Sequence, residues 1–115
     1  MKIADIHAHV FPEKLAGKAA GSIGAFYGTD MYCEASMERL AAEEQKAGVS
    51  RYVISSSAVT PKQVRPIVEF LAEARKGHPG CIAFGSIYPG MEGFEEVLDE
   101  MQALGLRGIK IHPDF

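Results

Sequence analysis

The sequence predicts an α/β fold of the (β/α)8 TIM-barrel type, with the first four strands of the barrel, a half-barrel, carried by residues 1–115 and no second domain. Three observations predict it. Short apolar runs alternate with longer amphipathic stretches along the whole chain, and such alternation calls for right-handed βαβ crossovers and a parallel sheet. No glycine-rich phosphate loop follows the first strand, which argues against a doubly wound dinucleotide-binding sheet. Polar residues collect at the C-terminal ends of all four expected strands, where a barrel gathers its chemistry: Asp5, His7 and His9, then Ser55 to Ser57, then Ser86 and Tyr88, then Lys110, His112 and Asp114.

Taken in order, Lys2 to His7 reads as the first strand. Pro12 to Phe26 follows as a helix, with Pro12 suited to its first turn and Leu15, Ala19, Ile23 and Phe26 at helical spacing. Gly17, Gly21 and Gly24 weaken it. Gly28 to Ala35 is a loop. Ser36 is an N-cap candidate for a helix through Met37, Leu40, Ala41, Glu44 and Ala47, which Gly48 ends. Val49 to Ser55 is the second strand. Thr60-Pro61 opens the next helix, whose apolar face is Val64, Ile67, Val68, Leu71 and Ala74 and which Gly77 closes. Pro66 should bend that helix or delay its regular start. Cys81 to Ile87 is the third strand. Glu92 to Leu104 is the clearest helix, with Phe94, Val97, Leu98, Met101 and Leu104 in register and Gly105 as its stop. Leu106 to His112 is the fourth strand.

Composition narrows the function classes. A hydrophobic content of 47% suits a globular domain. The net charge of −3, without any run of Lys or Arg, predicts no nucleic-acid partner and no membrane-surface partner. Asp5, His7 and His9 stand where a signal peptide would be apolar, so the expected location is the cytoplasm. Cys33 and Cys81 lack metal-type spacing and read as free thiols.

On a strand, side chains two apart share a face. His7 and His9 therefore project together, Asp5 is expected one step below them, and Ala4, Ile6 and Ala8 are expected to turn toward covering helices. Two imidazoles from one strand make a rigid half of a metal site, and Asp5 could orient one of them. The alternative is two solvated histidines near the N-terminus. Lys110 and His112 are expected to share the inward face of the fourth strand, since Ile109 and Ile111 take the other. A lysine inside a barrel is costly without a charged or metal partner. Lys110 could bind a substrate carboxylate, become a carboxylated metal bridge, or pair structurally with Asp5 or another carboxylate. The serine run reads as loop, and no Gly-x-Ser-x-Gly elbow points to a serine nucleophile. His78, in a Gly-His-Pro-Gly turn, reads as a solvated loop residue. Phe11, Phe26, Tyr27, Met31 and Tyr32 could cap a pocket or simply pack.

"DIHAHVFP" at residues 5–12, "TPKQV" after the second strand and "GIKIHPDF" at residues 108–115 resemble the amidohydrolase-related family. These are metal-dependent barrel enzymes that include the aminocarboxymuconate-semialdehyde decarboxylase branch. The resemblance runs along the whole chain. It implies His7 and His9 as first-strand ligands of a divalent metal, zinc first, with manganese or another ion second. It implies Lys110 and His112 as active-site candidates. It implies hydrolysis of a C–N or C–O bond of a small-molecule substrate by metal-activated water, with decarboxylation on the same site or a non-catalytic, self-associating half-barrel as alternatives. A full barrel runs to about 250 residues. The family's later metal-binding histidine and aspartate have no counterpart here, so the expectation is a fragment. The second expectation is a homodimer formed through the open sheet edges.

Overall fold

A computed structural model describes residues 1–114; Phe115, the last residue of the GIKIHPDF segment, lies outside the described residues. Strand β1 spans Ile3–His9, followed by helices α1 (Glu13–Tyr27) and α2 (Met37–Ala47), then β2 (Val49–Ser55), α3 (Val64–Ala74), β3 (Cys81–Ser86), α4 (Phe94–Ala103) and β4 (Gly108–Lys110). The strands form one parallel sheet in the order β1-β2-β3-β4, curled as a half-barrel. Sequential parallel neighbours joined by right-handed crossovers carry their helices on one face, so the opposite face is the concave one.

Local signals explain most boundaries. Ser36 caps α2, its Oγ accepting the Arg39 N–H at 3.2 Å, and Gly48, at φ 75°, closes it in a left-handed conformation that glycine adopts freely. Pro61 opens a 3-10 turn at Pro61–Gln63 and regular α3 starts only at Val64. Pro66 is then the third residue of the helix, where an N–H has no partner four residues back, so the ring delays the helix without breaking it. Helix α1 runs unbroken through its three glycines. Two of them are small because the next loop packs onto them: a Cβ on Gly17 would stand 2.9 Å from a Glu34 carboxylate oxygen, and one on Gly24 would stand 2.7 Å from the Thr29 carbonyl.

The core lies between the sheet and α2, α3 and α4. Tyr52, Ile54, Cys81 and Ala83 from the strands meet Val64, Val68 and Leu71 of α3 and Val97 and Met101 of α4. Each large aliphatic side chain so buried contributes on the order of 1.5–3 kcal/mol. Gly85 lets α4 come close, since a Cβ there would lie 2.6 Å from Met101 Sδ.

Two strand expectations are corrected. β4 is Gly108–Lys110, shorter than Leu106 to His112. It lies at the sheet edge with pairing on one side, and Pro113 brings no N–H and pushes the residue before it out of the ladder's reach. Along β1, Ala8 is buried but Ile6 is 80% exposed, and Ile109 on β4 is also exposed. Both edge strands thus show apolar side chains that no helix among the described residues covers. No helix of the described residues is long and apolar enough to cross a membrane.

Candidate metal centre

The first strand does not pair evenly. Asp5 is level with Tyr52 and Ala8 with Ile54, so three steps on β1 match two on β2. This bulge, a local insertion that re-aims side chains, falls on the segment that carries His7. Beyond it, His7 and His9 alternate as strand residues do, and their rings converge: Nε2 of one lies 3.0 Å from Nε2 of the other, ring centroids 4.9 Å apart at an interplanar angle of 66°. Zinc held by two imidazoles at ~2.0–2.1 Å in tetrahedral geometry would place their nitrogens roughly 3.3 Å apart. The pair fits that spacing with little movement.

Lys110 joins from the far edge of the sheet, its Nζ 3.2 Å from His7 Nε2. It does not pair with Asp5. Its backbone is fixed from below by Ser86, a fully buried side chain whose Oγ donates to the Lys110 carbonyl at 3.2 Å and accepts the Ala58 N–H at 2.9 Å. The serines at the end of β2 act in the same way. Ser55 Oγ reaches the Ala8 carbonyl at 3.5 Å, and Ser56 Oγ donates to the Val10 carbonyl. Hydroxyls satisfying buried carbonyls on neighbouring strands hold the rim in place. Ser57 follows with a buried Oγ that no partner among the described residues meets.

His9 is biased toward the neutral imidazole that binds metals. Its pKa is lowered chiefly by burial, then by the positive charges of His7 and Lys110 nearby, and a hydrogen bond with the Ser55 backbone opposes them. Because Nε2 faces His7, Nδ1 is the nitrogen left for Ser55. A proton held there keeps the Nε2 lone pair open, the backbone-oriented tautomer common in metal-binding histidines.

Asp5 does not stand behind the histidine rings as the simple alternation predicts. Its carboxylate turns back along the bulge and accepts the His7 backbone N–H at 2.8 Å. It also bonds the carboxyl of Glu44 on α2, whose pKa is raised by burial first and by Asp5 second. Glu44 is only 6% exposed, so burial favours its protonated form over a charge that would be penalised there. Asp5 thus shapes the backbone that presents His7 rather than the imidazole itself.

His112 reaches this cluster through its charge, one of those that lower the pKa of His9. It follows β4, and its Nε2 lies 3.1 Å from the Tyr27 hydroxyl at the end of α1. His78 lies in the turn before β3, at the opposite end of the sheet, where its backbone bonds Arg75 and Cys81. Cys33 and Cys81 are free thiols, and burial pushes Cys81 up to about 11, which keeps it protonated and inert at neutral pH. Among the described residues no three His, Cys, Asp or Glu side chains are grouped to hold an ion. His7 and His9 therefore present two imidazole nitrogens side by side, without a third such side chain grouped with them among the described residues. No protein-family model, curated protein or solved structure matches this chain.

Sequence reasoning found His7, His9 and Lys110, which the structure brings together. It missed the work of Ser86, Glu44 and Tyr27. A small hydroxyl in the last position of an apolar strand was a usable signal for Ser86, as was an acid on the apolar face of a helix for Glu44.

Proposed function

We propose that this chain is the N-terminal half of a metal-dependent hydrolase of the amidohydrolase type, built on a (β/α)8 barrel and related to the amidohydrolase-related family. One observation carries the reading: two Nε2 atoms 3.0 Å apart at the end of the edge strand β1, with a lysine ammonium from the opposite sheet edge 3.2 Å from one of them. The donor chemistry suits zinc first, with manganese or another divalent ion second. A bound ion would supply Lewis acidity for the attack of water on a C–N or C–O bond of a small molecule.

The chain's own residues have separable tasks in this reading. His7 and His9 hold the ion through Nε2. The Ser55 backbone and the Asp5-supported bulge keep their rings aimed. Lys110 offers its ammonium as a hydrogen-bond donor to a substrate oxygen, and Ser86 fixes where that ammonium starts from. Among the described residues the printed partners of the His7 and His9 Nε2 atoms and of the Lys110 ammonium are one another and no carboxylate, so a substrate bearing negative charge would meet a favourable field.

The test is the zinc affinity of the purified chain, read by titration calorimetry beside His7→Ala and His9→Ala. Both rings are at the rim rather than in the core, so folding should change by less than ~1 kcal/mol. With two imidazoles the parent is expected to bind zinc measurably but weakly, and each variant several-fold more weakly still. Equal affinity in the parent and both variants would refute the assignment.

A further inference from the structure

Helix α2 turns one stripe toward the sheet. Met37, Leu40, Ala41 and Glu44 recur at the three- and four-residue spacing of a single helical face. Met37 is buried, and Leu40 and Ala41 pack against the core. Glu44 continues that stripe at 6% exposure. A carboxyl so placed among apolar neighbours is costly unless a polar partner meets it.

The partner is Asp5 on β1. The two carboxyls are hydrogen-bonded, and the Glu44 pKa is raised by burial first and by Asp5 second, which favours the protonated form that can donate to a carboxylate. Asp5 is level with Tyr52 on β2. Glu44 lies near Tyr52 as well, whose pKa is raised by burial, then by Cys81 and by Glu44. Asp5 in turn accepts the His7 backbone N–H at 2.8 Å, on the segment where the register of β1 against β2 slips. A carboxylate held by that bond alone could swing about its Cα–Cβ bond toward water. A second bond, from a buried group on a packed helix, stops the swing.

We propose that Glu44 is a positioning residue for the His7–His9 pair: from the inner stripe of α2 it grips the Asp5 side chain, and through Asp5 it fixes the bulge that presents His7. The grip stands on these contacts; its effect on metal binding rests on the reading proposed above. The line from Glu44 to Asp5 to the His7 backbone carries the packing of α2 to the rim.

The experiment compares the parent with Glu44→Gln, Glu44→Leu and Glu44→Asp, and Asp5→Ala with Asp5→Ala/Glu44→Leu. Each is read by its urea midpoint, by the amide-proton shift and exchange rate of His7 in the zinc-free chain, and by zinc affinity in titration calorimetry. Gln keeps an N–H donor for Asp5 at nearly the same volume. Leu suits the apolar stripe, so a purely structural Glu44 predicts an equal or higher midpoint and no change at His7. The grip predicts a parent-like His7 amide and zinc affinity in Glu44→Gln. In Glu44→Leu it predicts a shifted His7 amide that exchanges several-fold faster, with zinc affinity several-fold lower. Once Asp5→Ala has released His7, adding Glu44→Leu should change the His7 amide no further. A parent-like His7 amide in Glu44→Leu would overturn the proposal, as would unchanged zinc affinity beside a released His7 amide. If Glu44→Leu does not fold, Glu44→Asp decides: its acid is one methylene shorter, so the His7 amide should shift and exchange faster, and an unmoved amide overturns the grip. A parent that binds no zinc would sink the metal reading alone, and the His7 amide would still decide the grip.

Discussion

Helices α3, of 11 residues, and α1, of 15, both lie in connections between parallel strands, yet they are held by different forces. Val64, Val68, Leu71 and Ala72 of α3 are buried against the sheet. In α1 only Ala16 and Gly24 are buried, and Leu15, Phe26 and Tyr27 are exposed. Its far end is held by the Tyr27–His112 bond and by a loop folded against its glycines. Helix α3 is fixed by area removed from water and α1 by a few directional contacts. The fold's stability is concentrated under α3, while the region beside the histidines is free to change without dismantling the core.

The largest expected effect sharpens this comparison at α3. Leu71→Ala removes a side chain with no exposed surface and should cost about 2–5 kcal/mol, read as a lowered denaturant midpoint at constant slope. A cost below ~1 kcal/mol would mean that α3 is not the anchor. Within α1, two glycines one turn apart should respond with opposite signs. Nothing lies within 4 Å of a Cβ added at Gly21, so Gly21→Ala should stabilise by about 0.5–1 kcal/mol. At Gly24 the same methyl meets a backbone carbonyl at 2.7 Å, and the strain of about 1–3 kcal/mol exceeds the propensity gain. Thermal midpoints that shift in the same direction for both would break the claim that the loop packs on this helix. The smallest effect belongs to Leu15→Ala. At 52% exposure it should stay within ~0.5 kcal/mol; a loss comparable to that at Leu71 would erase the contrast between the helices.

Periodicity made the element order legible, since Val64, Val68 and Leu71 or Val97 and Met101 recur at helical spacing and Tyr52 and Ile54 at strand spacing. It located His7, His9 and Lys110 because alternation along a strand is a local rule. It failed where pairing with another strand decides the outcome. Asp5 was expected beneath the histidine rings, but the extra step against β2 turns it toward His7's backbone and Glu44. His112 was expected inside β4, but an edge strand without a neighbour on its outer side ends at Lys110. Ile6 and Ile109 look like core residues in sequence because apolar character says nothing about whether a covering helix exists. The half-barrel curl follows from four sequential parallel neighbours, a long-range property that no single segment displays.

The buried hydroxyl under Lys110 has an evolutionary corollary. Ser86 grips the main chain at that position and leaves the side chain untouched, so the rim resembles a socket whose fitting can be exchanged. Arginine, glutamine or a shorter cationic group could be tried at residue 110 while its backbone stays seated, and the chemical repertoire of the rim could drift without a matching renovation of the scaffold.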